Sequence, residues 1–202
     1  MIQNIVFDMG GVLLHFDPAL FVSRVDASPE DRALLLEAVF HNPLWIEMDR
    51  GTATEAEAYA DMCRRLPRHL HGQARALLYW WQDILPMEGM EALIWELKAK
   101  GYGLYVLSNA PTNLHAYFSR IPGADCMDGL VVSADHHLLK PQRELYEVLL
   151  NKYRLRPETC FFIDDMPANV EGARAAGMSA ARFTGDAAQL RSALRLAGVC
   201  IS

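Results

Sequence analysis

The stretch Ile5-Val6-Phe7-Asp8-Met9-Gly10-Gly11-Val12-Leu13-Leu14 decides the fold. It is an apolar run interrupted by one carboxylate and then by two glycines. An apolar run of this kind predicts a strand over 4–14, buried on both faces as in a parallel sheet. An acid on such a strand needs donors, water or a metal beside it, because burying it unpartnered is costly. The glycines leave room for the backbone to approach a ligand.

Beyond this run the pattern changes. Helical spacing appears over 29–40, over 54–66 behind a Thr54/Glu57 capping box, and over 73–84. No strand signal interrupts the block, so 16–86 reads as a small helical bundle. From 87 onward helix and strand alternate. Helices are predicted over 90–100, 112–120, 143–153 and 169–176, and strands over 103–107, 130–133, 160–163 and 179–183. Alternation of this kind implies a parallel sheet with helices on both faces. The predicted architecture is α/β: a doubly wound, Rossmann-like core of 1–15 and 87–202, with the helical block 16–86 inserted after the first strand as a cap.

The bulk composition narrows the function. The chain has 202 residues, 51% of them hydrophobic and 22% charged, which fits an ordinary globular protein and excludes a disordered one. A net charge of −6 argues against nucleic acid as a partner. The four cysteines have neither zinc spacing nor an adjacent-thiol motif and read as reduced, structural thiols. No signal-peptide pattern opens the chain, and no apolar run reaches the ~18–20 residues that span a bilayer. The expectation is a soluble cytoplasmic protein without a membrane partner, monomeric or weakly dimeric.

In open α/β sheets ligands bind outside the carboxyl ends of the strands. The residues just past the predicted strands are Asp8, Ser108 and Asn109, Lys140 and Pro141, and Asp164 and Asp165. Carboxylates, a hydroxyl and an ammonium in one crevice suit a phosphoryl group held with Mg²⁺, since hard divalent cations take oxygen ligands. The adjacent pair His136 and His137 is set aside as a metal site, because neighbouring side chains point apart.

Taken together, Phe7-Asp8-Met9-Gly10-Gly11-Val12, Leu107-Ser108-Asn109, Lys140-Pro141 and Phe162-Ile163-Asp164-Asp165, followed by Asn169-Val170-Glu171-Gly172-Ala173, resemble the motifs of haloacid dehalogenase (HAD) superfamily phosphohydrolases with a helical cap. The resemblance spans the chain in order. It implies that Asp8 is a nucleophile forming an aspartyl-phosphate. It also implies Mg²⁺ between Asp8, the Gly10 carbonyl and Asp165, with Asp164 ligating directly or through water. Ser108 and backbone N–H groups near Met9, Gly10 and Asn109 would bind phosphoryl oxygens, and Lys140 would offset charge in the transition state.

The chain departs from that pattern at Gly10, where most phosphatases of the superfamily carry an acid–base Asp. A subgroup similar to bacterial α-D-glucose-1-phosphate phosphatases shares the Asp-x-Gly arrangement, and Trp45-Ile46-Glu47-Met48-Asp49-Arg50-Gly51 resembles its acidic-Arg-Gly segment. The implied reaction is Mg²⁺-dependent hydrolysis of a small phosphorylated metabolite such as a hexose 1-phosphate. A cap residue, His15, Asp17 or water would supply the proton. Glu47, Arg50, Trp45 and Trp80 or Trp81 are candidates for the substrate's other end, with bundle packing as the other reading of the indoles and a salt bridge within the cap as that of Arg50. A weakly active or inactive protein binding a phosphorylated ligand or a protein partner is the alternative from another class. Carbon–halogen hydrolysis, which needs no metal, and phosphoryl transfer of the mutase type are the alternatives within the same fold.

Overall fold

The computed structural model describes residues 1–82 and 84–202. Five strands make one parallel sheet: β1 (Asn4–Phe7), β2 (Gly103–Ser108), β3 (Gly129–Val132), β4 (Cys160–Asp164) and β5 (Ser179–Arg182). Their order is β3-β2-β1-β4-β5, with β1 central. Ile5 sits opposite Leu104 and Phe161, and Phe7 opposite Val106 and Ile163. This is the doubly wound α/β core expected from the alternation.

The period of two along β1 divides its side chains between two layers. Ile5 and Phe7 join a cluster with Leu93, Ile94, Leu114 and Leu190, which belong to α6 (Met90–Ala99), α7 (Leu114–Tyr117) and α10 (Ala187–Leu196). Val6 points the other way, into a cluster with Leu145, Leu149 and Ala173 of α8 (Arg143–Tyr153) and α9 (Pro167–Ala175). Both faces of the sheet are therefore covered.

The strand predicted over 4–14 ends at Phe7. The N–H groups of Leu13 and Leu14 donate to the Met9 carbonyl at 2.8 and 3.0 Å, so the rest of the run folds into a compact loop rather than extending. Gly11 has φ 77°, and a side chain there would lie 2.7 Å from the Asp165 carboxyl. The glycines shape the loop that brings Asp8 and Asp165 together.

Between β1 and β2 the chain is helical: α1 (Pro18–Ser23), α2 (Pro29–Leu35) running on into a π-helical turn over Leu36–Phe40, α3 (Pro43–Arg50), α4 (Glu55–Arg65) and α5 (His71–Leu78). The Thr54/Glu57 capping box is present. The helix predicted over 73–84 stops at Leu78 and gives way to a 3₁₀ turn over Trp80–Gln82; Asp83, within that range, lies outside the described residues. Leu35, Val39, Ala58, Met62, Leu70 and Ala74 give these helices a core of their own. The chain enters and leaves the block side by side: His15 N–H donates to the Leu85 carbonyl at 2.8 Å and Met87 N–H to the Leu13 carbonyl at 2.9 Å.

The last turn of α3 is seated on the turn after β3. Gly51 has φ 75°, and a side chain there would strike the Ala134 carbonyl. Gly51→Ala is therefore expected to destabilise the protein by at least about 1–2 kcal/mol from the backbone conformation alone. Urea unfolding measures it, and an unchanged midpoint would show that α3 does not rest there. Among the described residues no helix is long and apolar enough to cross a membrane.

Candidate active site

The carboxyl ends of β1, β2 and β4 converge as the strand order requires. Asp8 follows β1 directly; its N–H donates to the Ile163 carbonyl at 2.8 Å, and its Oδ1 accepts from Met9 N–H at 2.7 Å. Lys140 Nζ lies 2.8 Å from Asp8 Oδ1 and 2.7 Å from Asp164 Oδ2. The lysine side chain is 1% exposed, so this is a buried ammonium between two carboxylates. Its Nζ also lies 5.3 Å from the centre of the Phe162 ring.

Neighbouring residues fix each member of the cluster. Asn109 braces the lysine from its backbone: Oδ1 accepts from Lys140 N–H at 2.8 Å and Nδ2 donates to the Lys140 carbonyl at 3.1 Å. Asp164 accepts from Asn169 Nδ2 at 3.0 and 3.1 Å and from Met166 N–H at 2.9 Å. With Lys140 added, both Asp164 oxygens are engaged, and the residue is 0% exposed. Its geometry is that of an anchor for Lys140. Asp165 sits beside it, partly open to the cavity.

Oxygens of Asp8, Asp164 and Asp165 lie within 4.8 Å of one another. Lys140 is the cation the structure places among them, which leaves the group short of positive charge. Burial pushes the Asp8 carboxyl up to about 7, against the pull of Lys140, with Asp164 adding to the rise. Burial and then the Asp164 charge also raise Asp165. Lys140 shifts up as well: burial works against its charge, but Asp8 and Asp164 outweigh it. A donor set of hard oxygens in a charge-deficient pocket fits a divalent cation such as Mg²⁺. Asp8, Asp165 and the backbone at Gly10, which lines the same cavity, are the residues open to hold it.

The cavity above Asp8 has a volume of ≈ 270 Å³. Phe16, Trp45, Met48, Leu78, Trp80 and Trp81 form much of its wall, with Asp49, Glu55, Asn109 and Asn113 among its polar residues. Trp80 stacks on Phe21 at 5.4 Å, and Trp81 on Tyr117 at 4.9 Å. The indoles thus pack and line at once. Ser108 is the last residue of β2 and 1% exposed; among the described residues its hydroxyl makes no hydrogen bond, and it is not part of the cavity wall.

Two of the specificity candidates are misplaced. Glu47 accepts from the Thr52 hydroxyl and lies 3.8 Å from Arg50 Nε, and neither Glu47 nor Arg50 lines the cavity. The reason is helical phase: Trp45, Met48 and Asp49 share one face of α3 at spacings of three and four, and Glu47 and Arg50 lie off it. His15 and Asp17 are also away from the site. Both are exposed, and Asp17 caps α1 by accepting from Leu20 N–H at 3.1 Å. Sequence reasoning missed the anchoring role of Asn169 and the placement of Asp49; the helical phase from Trp45 could have picked out the latter.

A doubly wound sheet that gathers three carboxylates and a buried ammonium under a helical roof defines an enzyme built on carboxylate and cation chemistry. The profile of the family described as haloacid dehalogenase-like hydrolase matches residues 2–177, and the chain belongs to that family; it is a hydrolase. It is 26% identical over 194 residues to the sesquiterpene phosphatase astK of Aspergillus oryzae, covering 96% of this chain and 95% of that protein. Its fold matches a HAD-like family hydrolase of Porphyromonas gingivalis with a TM-score of 0.73 at 23% identity, covering 97% and 98% of the two chains. It also matches the HAD family enzyme BT-2542 of Bacteroides thetaiotaomicron, solved with magnesium and inorganic phosphate, with a TM-score of 0.69 at 20% identity over 94% and 99% of the chains.

Proposed function

We propose that this hydrolase is a Mg²⁺-dependent phosphatase that cleaves a small phosphomonoester through an aspartyl-phosphate on Asp8, beneath a cap formed by 16–86. The observation that carries the reading is the Asp8–Lys140–Asp164 cluster with Asp165 beside it. Asp8 attacks phosphorus in line, and the ester oxygen leaves on the opposite side. Lys140 holds the attacking carboxylate in place and faces the charge that gathers on the phosphoryl oxygens. Asp164 and Asn169 keep Lys140 there, and Asn109 sets its backbone. The backbone N–H groups around Gly10 are the donors for the phosphoryl group; Ser108, the donor that the sequence resemblance implies, lies buried behind the cavity wall. When bound by Asp8, Gly10 and Asp165, Mg²⁺ supplies the positive charge that lets two anions meet.

The same reading makes the substrate the phosphate of an apolar alcohol. Sequence resemblance points to a sugar phosphate such as a hexose 1-phosphate, but a sugar's hydroxyls need convergent donors and acceptors. The wall here is largely aromatic and aliphatic. An apolar chain buried against it gains roughly 25 cal/mol per Å² removed from water. The sesquiterpene phosphatase similar over nearly the whole chain supports this choice. Four free cysteines are in keeping with a reducing, cytoplasmic setting.

Phosphate release from farnesyl phosphate, glucose 1-phosphate and p-nitrophenyl phosphate, with Mg²⁺ and with EDTA, tests the proposal. We expect Mg²⁺-dependent release with kcat/KM highest for the isoprenoid. Preference for glucose 1-phosphate would restore the sugar-phosphate reading. No release from any of the three would favour a binding protein.

A further inference from the structure

We propose that Asp49, carried on α3, is the acid–base residue of this reaction, giving a proton to the leaving alcohol and later taking one from the hydrolytic water. The inference rests on the phosphatase reading above. The loop after the nucleophile, Met9-Gly10-Gly11-Val12, contains no ionisable side chain. A side-chain proton donor must therefore come from elsewhere on the cavity wall.

Among the described residues, four acids line that wall: Asp8, Asp49, Glu55 and Asp165. Asp8 and Asp165 belong to the cation-binding group. Glu55 accepts a hydrogen bond from Asn113 Nδ2. Among the described residues the Asp49 carboxyl makes no hydrogen bond and no ion pair, although it shares the cavity with Asp8. A carboxyl left without a partner beside a nucleophile is available for a substrate atom.

Its position is built in. Ser133 Oγ donates to the Asp49 carbonyl, and His137 Nδ1–H donates to the Arg50 carbonyl at 3.2 Å. Gly51 permits backbone contact with Ala134 immediately beyond. These contacts lock the last turn of a cap helix to the turn that follows β3, so Asp49 is presented by a fixed backbone. Burial also pushes its carboxyl up to about 7, with the Asp8 charge adding and Lys140 opposing, which suits a group that works in both protonation states.

The proton balance closes over two steps. As Asp8 Oδ bonds to phosphorus, the ester P–O bond breaks, its electron pair passes to the alcohol oxygen, and Asp49 protonates that oxygen. The alcohol departs, leaving Asp49 as carboxylate. Water then attacks the aspartyl-phosphate while Asp49 accepts its proton. The bond between Asp8 and phosphorus breaks, inorganic phosphate leaves, and both acids return to their starting states.

The leaving group tests this directly. Asp49→Asn is expected to lower kcat/KM for farnesyl phosphate by about 10²–10⁴-fold, the usual worth of general acid–base help. For p-nitrophenyl phosphate, whose phenolate departs without a proton, kcat/KM should fall by a far smaller factor. Its kcat should drop, with a burst of p-nitrophenolate equal to the enzyme present, because the second step has lost its base. Asp49→Ser should give the same split and serves if the Asn variant does not fold. Equal losses on both substrates, or a wild-type kcat/KM on farnesyl phosphate, would overturn the proposal while leaving the phosphatase reading intact. Failure of the wild type to release phosphate from either ester in an Asp8-dependent way would overturn both.

Discussion

In the Asp8→Asn variant, phosphate release is expected to fall below detection on every ester, while the Mg²⁺-free protein becomes more stable than wild type at neutral pH. The amide is a poor nucleophile and cannot form the acyl-phosphate, so the loss follows from the chemistry of the side chain. The stability gain follows from the direction of the shift on Asp8. Its carboxyl rises from the ordinary 3.8 to about 7 in the folded protein, so the folded state holds this proton more tightly than the unfolded one. Stability associated with the group is fully present below pH 3.8 and is lost as the pH climbs through about 7. Wild type in EDTA should therefore weaken over this window, and Asp8→Asn should weaken less, because Asp49 and Asp165 are also raised by burial and still titrate in the variant. Urea unfolding at pH 5 and pH 8 measures the difference, and added Mg²⁺ should narrow it by binding the folded wild type. Equal stability of the two proteins at pH 8 in EDTA would refute the account of a charge-deficient site.

The chemistry-bearing residues were legible in the sequence because the doubly wound topology dictates where they go. Asp8, Lys140, Asp164 and Asp165 each follow a buried apolar strand or the loop beyond one, and the sheet order brings those ends together. Hydropathy extends the first strand beyond Phe7 because Val12, Leu13 and Leu14 are as apolar as Ile5 and Val6. Hydropathy alone does not register that the Gly10-Gly11 pair lets the backbone fold back on Met9. Beyond the helices predicted from periodicity, the structure adds α1, α3 and α10. The first two have six and eight residues, too few for a full apolar repeat. Their caps were visible all the same: Asp17-Pro18 and Asn42-Pro43 each place a capping side chain before a proline at the first helical position. Of the specificity candidates, Trp45, Trp80 and Trp81 line the cavity, while Glu47 and Arg50 lie off it for a subtler reason. Charge drew attention to Glu47 and Arg50, which pair near the surface, while the packing phase of α3 turned Asp49 inward.

Lys140→Met tests the other half of the cluster and should cause the largest loss of stability. Methionine fills much of the same volume, so the change removes charge more than packing. Asp8 and Asp164 would then share a buried space without the ammonium that now sits 2.8 and 2.7 Å from their oxygens. Removing one partner of a buried ion pair costs about 3–5 kcal/mol, because it leaves uncompensated charge in a medium that solvates it poorly. The loss should be larger at pH 8 than at pH 5, since in acid Asp8 takes a proton and the repulsion with Asp164 is relieved. Mg²⁺ should recover part of it at pH 8, where a cation substitutes for the missing charge. Lys140→Arg is not expected to rescue activity: a planar guanidinium does not fit where a compact ammonium meets two carboxylates from separate strands, beneath the ring of Phe162. Chemical denaturation at the two pH values, with EDTA and with Mg²⁺, reads all of these effects. A Lys140→Met protein as stable as wild type at pH 8 in EDTA would mean that Asp8 and Asp164 are compensated by solvent, and that Lys140 is there for the phosphoryl group alone.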